Sequence, residues 1–203
     1  DITLTVLEAY RSDLRRQKLA DATVEQYLRA PRLLLDRLER HGEIFENPAR
    51  RMALHRRPMR LPRVPTEIQV RTLLEQPPVD SPTGRRDRAL LEFLYGTGAR
   101  VSEALGTDVA DLDPVAGTVR LLGKGRRERM CPLGVECLRR LECYLRDARP
   151  ALLGACDSPA LWIGVRGERL HVQAAEVRLR AYSLQAGIRP AIAPHGLRRA
   201  MAT

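Results

Sequence analysis

The chain is predicted to be mainly α-helical with one small antiparallel β-sheet, in two domains, and three observations carry that prediction. Apolar residues recur at helical spacing over most of the sequence, with capping signatures at several starts. Only residues 118–122 and 129–133, around Gly123-Lys124-Gly125-Arg126, change to the two-residue period of strands, so they are expected to pair as a hairpin. A Pro- and Arg-rich stretch over residues 47–65 has little apolar periodicity and reads as an extended, basic connector between a short N-terminal and a longer C-terminal part.

In order along the chain, Leu4, Leu7, Tyr10, Arg11 and Leu14 form the stripe of a first helix, and Thr23-Val24-Glu25-Gln26 reads as a capping box opening a second. A break is expected at Ala30-Pro31, because proline removes a helical donor and crowds the preceding turn, with Leu33, Leu34, Leu35 and Leu38 restarting a third helix. That junction leaves room for omitted residues near 30/31. The domain boundary is placed near residues 62–65, giving domains 1–62 and 63–203. Thr66-Glu67-Ile68-Gln69 is a further capping box, for a helix through Val70, Leu73 and Leu74 that Pro77-Pro78 stops. A long helix over residues 86–95 ends at Gly96-Thr97-Gly98, and Ser102 is expected to cap a short helix carrying Glu103, Ala104 and Leu105. Helices are expected at 135–148 and 172–186, with a short strand at 161–165 between them.

With 203 residues and a formal charge of +10, the chain can bury a sizeable core and attracts polyanions, nucleic acid first among them. It contains no run of eighteen apolar residues and no signal-peptide pattern at its start, so a soluble, cytoplasmic protein is expected. The four cysteines, Cys131, Cys137, Cys143 and Cys156, form no CxxC pair and the histidines are scattered, which suggests reduced thiols and neither a zinc site nor a disulfide framework. Aromatic content of 4% argues against stacking on single strands and favours contact with a duplex backbone.

Three segments carry the chemistry. Arg100 sits in GTGARVSEAL, where one helix hands over to another, and Lys124 sits at or beside the tip of the hairpin in VRLLGKGRRERMCPL. His195 and Arg198 lie in PHGLRRAMAT, three residues apart and so on one face of a helix. Only Lys18 and Lys124 are lysine among 35 basic residues, so Lys124 stands out, although a compositional bias toward arginine could leave it there. The order GTGARVSE, then GKG with basic residues and Pro-Leu, then PHxLRxxxAT, resembles the tyrosine recombinase and integrase family, Xer type, over residues from about 65 to 203 and more loosely before them.

The resemblance implies a helical, SAM-like core-binding domain at 1–62 and a tyrosine-recombinase catalytic domain at 63–203. It also implies that Arg100 and Arg198 bind the scissile phosphate, that Lys124 protonates the departing 5′ oxygen, and that His195 contacts a phosphate oxygen or assists the nucleophile. The chemistry agrees, since cleaving a phosphodiester needs fixed cations around a phosphate whose oxygens gain charge, and guanidinium grips them bidentately. Lysine can give up a proton near neutral pH where arginine cannot. A surface ion pair for Arg198 and a plain turn residue for Lys124 are the alternatives, and Glu103 is read as orienting an arginine or capping its helix.

By the same resemblance the nucleophilic tyrosine and a further His or Trp follow the His-x-x-Arg segment. Tyr10, Tyr27, Tyr95, Tyr144 and Tyr182 all precede it, so the sequence reads as cut short before the nucleophile and inactive by itself. Arg199 stands where many relatives have His. Neither cofactor nor metal is implied. The implied partner is double-stranded DNA carrying a specific site, bound by a tetramer on two sites with a second recombinase and a DNA translocase. The implied role is Xer-type chromosome-dimer resolution, tied to segregation and cell division, in a bacterial or archaeal cytoplasm at the nucleoid. A phage or mobile-element integrase shares the same residue set, and a non-catalytic DNA-binding fragment or regulator is the rival from another class.

Overall fold

The computed structural model describes residues 2–52, 64–123 and 125–201. Lys124 and most of the basic connector, residues 53–63, lie outside the described residues. The chain divides into two compact units, Asp1–Leu61 and Pro62–Thr203. Among the described residues no helix is long and apolar enough to cross a membrane.

In the first unit, helices α1 (Leu4–Arg16) and α2 (Asp21–Arg40) and a 3-10 turn (Pro48–Arg51) enclose Leu7, Leu14, Val24, Leu28, Leu35, Ala49 and Met52. The expected break at Ala30-Pro31 does not occur, and α2 runs through the proline. Val24, Leu28, Pro31, Leu35 and Leu38 fall on one helical stripe, so the burial of Leu28 and Leu35, worth about 1.5–3 kcal/mol each, outweighs the roughly 3 kcal/mol that an interior proline costs. Arg32 also donates to Glu25 across the proline, at 3.3 Å. The expected cap at Thr23 is not used either, because the helix starts one turn earlier with Ala20 as its N-cap, and the Thr23 N–H is already spent on the Ala20 carbonyl. Nor is the start of the connector extended. Buried Asn47 accepts from the Ala49 N–H and donates to Asp36, which folds Pro48–Arg51 back onto α2.

In the second unit, α3 (Glu67–Leu74) opens with both bonds of the expected capping box, Gln69 N–H to Thr66 Oγ1 and Thr66 N–H to Gln69 Oε1. Helix α4 (Pro82–Thr97) is the axis of this unit, burying Ala89, Leu90, Leu91, Phe93 and Leu94 against helices and sheet on several sides. After α5 (Val101–Gly106), a three-stranded antiparallel sheet orders β1 (Leu112–Asp113), β2 (Thr118–Leu122) and β3 (Glu128–Pro132) consecutively, with Val119 opposite Cys131 and Leu121 opposite Arg129. β1 is too short to leave a periodic signal. The N-cap of α5 is Arg100 and not Ser102, which lies within its first turn.

The expected 135–148 helix is α6 (Val135–Cys143) continued by a π turn (Tyr144–Ala148) into α7 (Arg149–Leu153). Tyr144 stacks on Trp162, and its hydroxyl donates to the Leu161 carbonyl and accepts the Ile163 N–H, at 2.9 and 3.0 Å. The strand expected at 161–165 is reduced to isolated bridges, Asp108 with Ala160 and Ile163 with Arg169. In place of a regular ladder, Tyr144 meets Leu161 and Ile163, single backbone bonds join Leu161 to Thr107, Trp162 to Leu170 and Gly164 to Glu168, and Arg149 donates to the preceding Ser158 and Ala160 carbonyls. Helices α8 (Val172–Gln185) and α9 (Pro194–Met201) complete the unit.

Ser81 caps α4 by accepting the Gly84 N–H at 3.1 Å, and a Cβ at Gly84 would lie 1.8 Å from the Pro78 carbonyl oxygen. Helix propensity alone favours alanine over glycine by about 1 kcal/mol. Gly84→Ala is nevertheless expected to lower the unit's stability by about 2–3 kcal/mol, measured by urea unfolding, because backbone must move to admit the methyl.

Candidate active site

Gly98 ends α4 in the left-handed conformation, φ +56°, and the chain turns at once so that Arg100 caps α5. Helix α9 crosses this turn. A Cβ at Gly98 would lie 2.3 Å from the Met201 methyl carbon and 4.0 Å from Arg198 Cγ, so the stem of Arg198 runs over the backbone that presents Arg100. The fold thus brings together two of the sequence-predicted arginines from opposite ends of the unit. Nη1 of Arg198 is buried and has no hydrogen-bond partner among the described residues. A donor in that state is costly unless an anion completes it.

His195 stands one turn before Arg198 at the exposed start of α9. It lines a cleft with Thr66, Gln69, Arg189 and Arg199. Lys124 lies outside the described residues. The Gly123 N–H donates to the Arg127 carbonyl at 2.8 Å, and Gly125 and Arg126 both take left-handed backbone conformations. Gly123 is pressed close to the arginine turn, since a Cβ there would lie 3.4 Å from Arg129 Nη1 and 3.6 Å from Glu103 Oε1.

Glu103 holds this corner. Its carboxylate, in a residue only 7% exposed, accepts from Arg100 Nη1 at 2.7 Å, from the Arg100 backbone N–H at 3.1 Å and from Arg129 Nη2 at 2.6 Å. It therefore caps α5 and orients Arg100 together. Burial pushes its carboxyl upward, but Arg129 and the two Arg100 donors outweigh that and bring it down to about 2. Arg129 is the member that the sequence reading missed. The signal was present: Arg129 shares the inward face of β3 with Cys131, where a charged residue demands a partner.

Tyr144 and Tyr182 are occupied elsewhere in the core, and burial pushes both hydroxyls up to about 12. Tyr144 bonds the backbone at Leu161 and Ile163, and Tyr182 donates to Asp87 at 2.8 Å. Tyr95 is half-buried against the core.

Residues 63–203 match the phage integrase family, and the chain belongs to it. It is 38% identical to a protein named tyrosine recombinase XerC from Pelotomaculum thermopropionicum, over all of this chain and 68% of that one. It is 42% identical to a tyrosine recombinase XerD from Pseudomonas aeruginosa, over 81% of this chain and 55% of that one. The chain thus spans between about half and two thirds of these relatives' own length. Among solved structures, the XerH site-specific recombinase bound to a palindromic difH substrate superposes with a TM-score of 0.79 at 21% identity, over all of this chain and 61% of that one. That last likeness is one of fold.

Because the Glu103 carboxyl is depressed from its ordinary 4.5 to about 2, its stabilising contribution is full above about pH 4.5 and is lost as pH falls toward 2. The contribution is about 3 kcal/mol on the usual conversion. Glu103→Gln is expected to be less stable than the parent near neutral pH, with the gap narrowing as acid is added. Urea unfolding followed by Trp162 fluorescence from about pH 6 to about pH 2.5 checks this, and a constant gap contradicts it.

Proposed function

We propose that this chain supplies the DNA-binding and phosphate-handling parts of a site-specific DNA recombinase of Xer type. The observation that carries the reading is that Arg198 of α9, with its unpartnered buried Nη1, packs over the Gly98 turn that presents Arg100. Membership of the phage integrase family and the XerC and XerD relatives support it.

In this reading the two guanidiniums grip the non-bridging oxygens of a duplex phosphate, and His195 adds a hydrogen bond to one of them. A tyrosine placed by family resemblance after the His-x-x-Arg segment attacks phosphorus. The bond from phosphorus to the tyrosine oxygen forms, the bond to the 5′ oxygen breaks, and the tyrosine proton passes through His195 or solvent. Lys124, in the loop between β2 and β3, gives its proton to the departing 5′ oxygen. The free 5′ hydroxyl then attacks the phosphotyrosyl link of a partner duplex and releases the tyrosine. Residues 1–62 and the basic connector bind the duplex, four protomers join two sites, and chromosome-dimer resolution in the cytoplasm, with a second recombinase and a DNA translocase, is the setting.

The test uses the complete protein and a nicked duplex bearing a site selected from a random library. An SDS-stable 3′ adduct is expected, and tight binding with no adduct overturns the reading. Lys124→Arg is expected to bind the duplex within about threefold of the parent while the adduct forms roughly 10²–10⁴-fold more slowly, since arginine keeps the charge but not the proton transfer. Equal rates for the two forms remove Lys124 from the acid role.

A further inference from the structure

Arg100 poses an electrostatic problem. Its side chain is 57% exposed, yet Nη1 is bonded to the carboxylate of Glu103, and an isolated pair of that kind is neutral. A neutral pair is a poor receptor for a phosphate, however well it is oriented. The second oxygen of Glu103 is taken by Arg129 Nη2 at 2.6 Å, so the cluster of two guanidiniums and one carboxylate carries a net positive charge. Arg129 reaches Glu103 from β3, opposite Leu121 in the register, and the backbone of Gly123 lies against the same pair. Glu128, next to Arg129 in sequence, points to the other face of the strand and pairs with Arg120, so it does not compete with Glu103 for Arg129.

We propose that Arg129 is a positioning residue of the phosphate site, holding Glu103 so that the carboxylate orients Arg100 without cancelling its charge. The proposal rests on the recombinase reading only for the identity of the phosphate that Arg100 meets. Without Arg129, Oε2 of Glu103 keeps only the Arg100 backbone N–H, and nothing draws the charge of the carboxylate away from the Arg100 guanidinium bonded to Oε1.

The test is a charge-matched set in the full chain, read by fluorescence anisotropy with a 40-base-pair duplex at about 0.1 M salt. Arg129→Met is expected to weaken binding about tenfold, which corresponds to 1.4 kcal/mol. Adding Glu103→Gln to it is expected to recover about threefold of that loss, because the amide oxygen still accepts from Arg100 Nη1 without neutralising it, although the amide nitrogen no longer accepts the Arg100 backbone N–H. Adding Glu128→Gln instead makes the same change in formal charge and is expected to restore nothing. Equal restoration by both second changes reduces the effect to overall charge and overturns the proposal, as does failure of Glu103→Gln to restore. Should Arg129→Met unfold the unit, seen as loss of its thermal transition, Arg129→Gln, also neutral, takes its place with the same two partners and the same criteria. Binding is read apart from chemistry. A parent that forms no covalent adduct refutes the recombinase reading and leaves the Arg129 result standing, whereas a parent that forms the adduct while the set fails refutes Arg129 alone.

Discussion

A carboxylate taken almost fully out of water must be matched by donors or it will not stay there. Asp87, 4% exposed near the start of α4, is matched by three. Arg86 donates to one oxygen through Nε and Nη2, Tyr182 donates to the other at 2.8 Å, and Arg178 closes on the same oxygen. Arg86, 1% exposed, spends its remaining arm on the Ile163 carbonyl at 2.8 Å. Two adjacent side chains thus fix α4, Asp87 to α8 and Arg86 to the segment beside Trp162. Removing Asp87 strands the buried charge of Arg86, a loss on the order of 3–5 kcal/mol, so this cluster fixes the position of α4 more firmly than apolar contact alone could.

The position of α4 matters because everything proposed for function happens at its far end. The polar lock sits near the N-terminal turn, the apolar stripe from Ala89 to Leu94 fills the middle, and the Gly98 turn offers Arg100 at the other end. Helix α9 packs on that turn as a bare backbone, since its Met201 methyl occupies the space a Cβ would take and Arg198 lies beside it. Glu103 then repeats at the surface what Asp87 does inside, a carboxylate shared between guanidiniums. The difference is solvent: at Glu103 one arginine remains open to a ligand, while at Asp87 the carboxylate and Arg86 are closed off from water.

The formal charge of +10 is a weaker guide than it looks. Arg139 and Arg140 meet Glu136, Arg146 meets Asp147, and Arg120 meets Asp111 and Glu128, so much of the arginine is spent on neighbouring carboxylates. Such exposed pairs stabilise little. Arg198 differs from these in where it lies: its buried, unpartnered Nη1 belongs to a side chain packed over the turn that presents Arg100, whereas Arg32 and Arg88 carry unpartnered nitrogens elsewhere. Fold likeness cannot supply that distinction, because one architecture hosts different chemistries and only the site separates them.

The sequence by itself determined whatever depends on neighbours along the chain. The capping box at Thr66, the stop at Gly98, the hairpin of β2 and β3 and the shared face of His195 and Arg198 all follow from a few consecutive residues. The motif order around Arg100, Lys124, His195 and Arg198 was legible for the same reason. Tertiary structure decided the rest, and each case turns on energy that local pattern does not contain. Pro31 stays helical because Leu28 and Leu35 are buried on its stripe, and residues 161–165 form no regular strand because Tyr144 and single backbone bonds to Thr107, Leu170 and Glu168 satisfy them instead. Arg129 meets Glu103 only because the sheet folds onto the α5 turn, and such a pairing, worth most where water is scarce, is set by burial that no spacing of letters records.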